Sequence, residues 1–165
     1  MFKWFRRSTL DPLSVSMVGA KLADRVLIAG ASDVRFIAAI AAKAGLTGRT
    51  CIVDESSERA NEAEQAALRE GALVESFTAP YHALPFEPET FDIVVVRSTA
   101  ASTGAAFEQA RRVLRGGGRC MVVHPPPQGG ISALLDDLKR AGFVAVRTLA
   151  EREGLAFVEA VKRSD

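Results

Sequence analysis

VLIAGASDVRF, residues 26–36, decides how this chain is read. An apolar run that includes the β-branched Val26 and Ile28 ends at Gly30. A helix begins a few residues later, because Val34, Ile37, Ala38 and Ala41 recur at helical spacing until a stop at Gly45. A strand that is apolar throughout is buried on both faces, as parallel strands are. Strand, glycine turn and helix N-terminus, in that order, make the junction over which nucleotide-like cofactors lie in α/β proteins.

The alternation recurs downstream. TCIVD (50–54), ALVESF (72–77), FDIVVV (91–96) and RCMVV (119–123) read as further strands. Between them fall helices over 57–70, stopped by Gly71, and over 107–114, closed by RGGG, while Ile131, Leu134, Leu135 and Leu138 pattern a last helix ending at Gly142. FVAVRTL (143–149) and GLAFVEAV (154–161) follow without a helix between them and predict a terminal hairpin. The fold class is therefore α/β, a doubly wound, mostly parallel sheet with one antiparallel strand. Two parts are expected: a basic, aromatic segment with a short helix over 1–24, running from Asp11-Pro12 to about Lys21, and the α/β domain over 25–165.

Composition narrows the partners. The 165 residues carry 21 Lys and Arg against 20 Asp and Glu, so no overall field recruits nucleic acid, and none is expected as a partner. No apolar stretch approaches a bilayer span, and no apolar segment of signal-peptide type follows the basic start, which predicts a cytoplasmic domain. The opening MFKWFRR (1–7) reads first as a chain terminus folded onto the domain. It is also the only stretch suited to a membrane surface, with aromatics among the headgroups and Arg6 and Arg7 snorkelling. Cys51 and Cys120 lack the neighbours that zinc spacing requires, so no metal is expected.

Gly30 gains meaning from Asp54, which ends the second strand. An acidic side chain there accepts hydrogen bonds from ribose hydroxyls in dinucleotide-type folds, or it caps the following helix. Asp33 reads as a helix N-cap and alternatively as a negative charge offered to a ligand. His124, before Pro125-Pro126-Pro127, reads as a surface histidine on a rigid loop.

RVLIAG, GRTCIVDESSERA, ALPFEPETFDIVVVR and ARRVLRGGGRCMVV together resemble the class I S-adenosylmethionine-dependent methyltransferases, particularly their small-molecule type 11 group. The resemblance runs from about Arg25 to the C-terminus. It implies a Rossmann-like sheet of order 3-2-1-4-5-7-6 and S-adenosylmethionine over the carboxyl ends of the first two strands. It further implies that Gly30, Ser32 and Asp33 wrap the methionine moiety, Asp54 holds the ribose, Glu55 borders the adenine, and Tyr81 and His82 flank its far side. His82, nearest the expected methyl group, is the candidate general base. Departures from the family pattern are Ile28 in place of an acid two positions before the first glycine, Ser32 and Val34 in place of glycines, and Pro80 in place of an acid. A Cβ at Ser32 or Val34 crowds a loop whose backbone must touch the ligand. A missing acceptor for the cationic amino-acid end forgoes a contact of about 1.5–3 kcal/mol. Two functions follow as expectations: a methyltransferase acting on a small molecule, and a catalytically inactive relative serving as a binding or assembly module with a protein partner. A nicotinamide-binding protein ranks below both, since the second glycine of that fingerprint is also absent.

Overall fold

A computed structural model of the chain describes residues 12–165. The helix capped by Asp11 and the segment MFKWFRR therefore lie wholly or partly outside the described residues. The elements are α1 (Pro12–Val18), β1 (Arg25–Ala29), α2 (Val34–Ala44), β2 (Arg49–Asp54), α3 (Ser57–Arg69), β3 (Glu75–Thr78), β4 (Phe91–Val96), α4 (Gly104–Val113), β5 (Leu114–His124), α5 (Gly130–Arg140), β6 (Val144–Arg152) and β7 (Leu155–Val161). They build one seven-stranded sheet of order β3-β2-β1-β4-β5-β7-β6, the order expected. The five strands β1 to β5 run parallel, and β7 pairs antiparallel with both β5 and β6.

Alternation along the strands explains why helices cover both faces. Val26, Ile28, Ile52, Ile93, Val95, Met121 and Val123 point into one apolar cluster with Val15, Val18, Phe36, Ile37, Ile40 and Ala63, so α1, α2 and α3 lie on that face. Leu27, Ala29, Cys51, Val53, Val94, Val96, Cys120 and Val122 point the other way, onto Phe107, Ala110, Leu134 and Leu138 of α4 and α5. Phe86 stacks edge-on against Phe77 and Phe91, at centroid distances of 4.8 and 5.0 Å, and closes this second core beneath the proline-rich approach to β4. Cys51 and Cys120 are both free and buried, on strands separated by β1 and β4. Burial pushes each thiol up to about 12, so neither is a reactive thiolate.

Several boundaries differ from the sequence reading. The third strand begins at Glu75, not Ala72, because Gly71 turns the chain only one residue after α3 ends and Ala72 spans the turn back to Ala67 O. Helix α1 stops at Val18, since Gly19 takes a positive φ of 67°. The RGGG run does not close α4. The helix ends at Val113 and the glycines open β5, where the register with β4 shifts between Phe91 and Ile93.

Three carboxylates set the acid limit of this fold. Glu75 is held below its usual range by Arg49. Burial alone would raise Asp54 and Asp92, but Arg59 and two backbone amides outweigh it at Asp54, and the Arg25 amide with Arg115 does so at Asp92. A depressed folded-state pKa contributes stability that is present above the unfolded value and lost as pH falls through the folded one. The melting temperature is therefore expected to hold from pH 7 to about 5 and to fall below about 4, the ordinary carboxyl range. A melting series from pH 7 to 2.5 checks this, and a flat profile down to pH 3 contradicts it.

Candidate functional site

The carboxyl ends of β1, β2 and β4 meet where the strand order reverses, the usual ligand crevice of an open α/β sheet. Gly30 leaves β1 with a φ of +110°, its amide bonded to Val53 O at 2.9 Å. A Cβ here would lie 2.9 Å from Ser98 Cβ, so the glycine makes room for the chain leaving β4. Ala31 then donates its amide to Asp54 Oδ2 at 3.0 Å.

Asp54 is the centre of the arrangement. Its side chain is 3% exposed. Oδ1 accepts from the Ser56 amide at 2.8 Å and from Arg59 Nε and Nη2 at 3.2 and 2.9 Å. The acid thus ties the β1 turn to the start of α3, and Arg59 shares Oδ1 with the Ser56 amide. Asp54 is not the cap of α3, as one sequence reading had it; it accepts from the Ser56 amide just before the helix, and both its oxygens are engaged within the chain. Helix α3 keeps its own cap, Ser56, whose hydroxyl accepts from the Arg59 amide.

Asp33 caps α2. Its Oδ1 accepts from the Phe36 amide at 3.2 Å, and its Oδ2 accepts from Arg97 Nη2 at 2.8 Å. Arg97 follows β4 and is 13% exposed, with its guanidinium 4.4 Å above the Phe36 ring and its Nη1 at 3.5 Å from Val123 O. Its Nε is buried without a hydrogen-bond partner among the described residues. Burial draws the guanidinium below its ordinary value, and Asp33 opposes that shift. Ile28, at the family's acidic position, is fully buried in the α2-side core and faces no ligand.

Tyr81 is buried, its hydroxyl bonded to Ser98, and burial pushes it up to about 12. The pocket on the α4 face between Tyr81, Ala29, Val96 and Ala101 measures only ≈10 Å³. On the α2–α3 side a groove of ≈740 Å³ opens from Ser32 and Val34 to Arg59, Ala63 and Ala66. Ser32 lines this groove and is exposed; Glu55 and His82 are exposed and do not line it. A second groove of ≈590 Å³ lies at the opposite end of the sheet, around Thr50 and Glu75, away from these residues.

His124 corrects the sequence reading most clearly. It is 2% exposed and not on the surface. Its Nδ1 lies 2.7 Å from Pro125 O, and its Nε2 is hydrogen-bonded to Ser102 Oγ. Arg59, Arg97 and Ser102 were not anticipated. The signals for them were slight: an arginine within one helical turn of a strand-end acid, and a charged residue directly after an apolar strand.

Sheet order, helix placement and a strand-end acid beside a glycine turn define a Rossmann-like methyltransferase fold. The chain belongs to the class I S-adenosylmethionine-dependent methyltransferases: the sequence profile of the methyltransferase domain family matches residues 26–118, more than half its length. No curated protein sequence matches it. Among solved structures, an Aquifex aeolicus SAM-dependent methyltransferase superposes with a TM-score of 0.80 at 18% identity, covering 90% of this chain and 87% of that one. A Thermotoga maritima SAM-dependent O-methyltransferase gives 0.79 at 16% identity, covering 97% and 68%. A Haloferax volcanii methyltransferase, in complex with the Trm112 methyltransferase activator, gives 0.76 at 14% identity, covering 93% and 88%. At these identities the likeness is one of fold. Among the described residues no helix is long and apolar enough to cross a membrane.

Proposed function

We propose that this chain binds S-adenosylmethionine weakly and methylates a small molecule. The observation that carries the reading is the Asp54 carboxylate, held at the carboxyl end of β2 by the Ala31 and Ser56 amides, with its partner Arg59 lining the adjacent groove. Asp54 would hold the ribose hydroxyls, Glu55 and His82 the adenine rim, and the turn from Gly30 through Ser32 to Asp33 the methionine end. Arg59 occupies the same carboxylate oxygen, so the ribose competes with an arginine that is 59% exposed and free to swing into solvent. The cofactor supplies an electrophilic methyl group on a sulfonium. The chain supplies alignment of that group with the acceptor, and with a good nucleophile this can suffice. His82, which is exposed, would take the acceptor's proton.

A second reading has its own support. Asp33 and Asp54, two of the acids at the site, already hold arginines of this chain. That closure suits a non-catalytic module whose ligand positions have become internal contacts and which acts through a protein partner. Ligand-dependent melting separates the two. S-adenosylmethionine at 100 times its dissociation constant is expected to stabilise the fold by about 2.7 kcal/mol. No shift at millimolar cofactor or its demethylated product would remove the first reading and leave the second.

A further inference from the structure

We propose that Ser102 and His124 form an activated serine site that takes small acyl or phosphonyl electrophiles. The proposal is independent of cofactor binding. Ser102 sits between a 3-10 turn (Thr99–Ala101) and α4, and His124 ends β5, so two separate crossovers bring the pair together at the ligand end of the sheet.

The protonation pattern follows from the partners. Pro125 O can only accept, so the proton of the neutral imidazole resides on Nδ1 and points at it. Nε2 is left as the acceptor, and its partner is the Ser102 hydroxyl. Burial pulls His124 below its ordinary value, the Pro125 carbonyl opposes that, and the nearby Arg97 charge adds to the lowering. The ring is therefore held as the free base at neutral pH. Pro125, Pro126 and Pro127 stiffen the loop that carries the orienting carbonyl. A nucleophile, a base bonded to it, and a third group fixing the base's tautomer are the parts that serine nucleophiles require.

Access and charge stabilisation are also present. Ser102 is half-buried, in contrast to the enclosed histidine. Immediately beyond it, Thr103 caps α4 by accepting from the Ala106 amide. The first-turn amides of Gly104 and Ala105 have no acceptor within the helix. A Cβ on Gly104 would meet nothing within 4 Å, so the chain is open at that residue. In this proposal the two amides receive the oxyanion formed on an electrophile at Ser102.

With a fluorophosphonate the Ser102 Oγ–P bond forms, the P–F bond breaks, fluoride leaves, and the hydroxyl proton passes to His124 Nε2. With an activated ester the acyl group moves to Oγ and the leaving alkoxide takes the proton back from the imidazolium. Water then attacks the acyl carbon, His124 Nε2 takes its proton and passes it to the leaving Ser102 Oγ, and the carboxylic acid departs with the hydroxyl restored.

The test is labelling of the folded full chain with a fluorophosphonate, mapped by peptide mass spectrometry. The expected result is an adduct on Ser102, absent from Ser102→Ala and formed about a hundredfold more slowly in His124→Asn. Because His124 is buried and its variant may fail to fold, the wild-type protein is also labelled in urea, where activation must vanish. No Ser102 adduct on the native protein overturns the proposal. So does an adduct that survives Ser102→Ala, or one that forms equally fast in urea or in a folded His124→Asn protein.

Discussion

Replacing Gly30 by alanine is expected to destabilise the protein by about 2–6 kcal/mol. Two costs add. A φ of +110° is one that residues with a Cβ rarely adopt, at about 1–3 kcal/mol. The new methyl would also sit 2.9 Å from Ser98 Cβ and 3.0 Å from its amide nitrogen. Relieving that overlap means shifting the exit of β4, which costs about 1–3 kcal/mol more. Urea denaturation of the variant measures the sum. A loss below about 1 kcal/mol would mean that the turn relaxes freely and that Gly30 is not needed for close packing.

Asp54→Ala is expected to cost about 2–4 kcal/mol, because the Ala31 and Ser56 amides both lose their acceptor at a site where water has little access. The variant reads stability and the proposed function together, since the same carboxylate fixes the turn and is the proposed ribose acceptor. Asp54→Asn keeps one acceptor oxygen and should lose less stability while still losing the charge offered to a ribose. Equal stability of wild type and Asp54→Ala, read from chemical denaturation, would show that the acid is not organising the turn.

These contrasts bear on how far the chain could be read unaided. A parallel sheet covered by helices was legible because β1, β2 and β4 are apolar on both faces; the strand order came from the family resemblance. Gly30, Asp33 and Asp54 were legible through local rules: a glycine at a strand exit, a cap before a helix, an acid at a strand end. The pairings that define the site obey no local rule. Arg97 meets Asp33 across 64 residues, and Ser102 meets His124 across 22. Only the crossovers of the sheet bring them together. His124 was misplaced for the same reason, since three prolines suggested an exposed loop while the strand before them carried the ring inward. The glycine run after α4 misled differently: a composition that usually ends a helix here opens a strand at a register shift.

Asp54, covered by Arg59, is the ribose acceptor we propose. Calorimetric titration of the demethylated cofactor product into wild type, Arg59→Ala and Asp54→Asn tests it most directly. Freeing the carboxylate from an exposed arginine should tighten binding by about three- to fivefold in Arg59→Ala. Asp54→Asn should weaken it by tenfold or more, as the loss of a charge-assisted contact of about 1.5–3 kcal/mol requires. Binding that is unchanged in both folded variants, or absent from wild type and Arg59→Ala alike at millimolar ligand, would contradict the account.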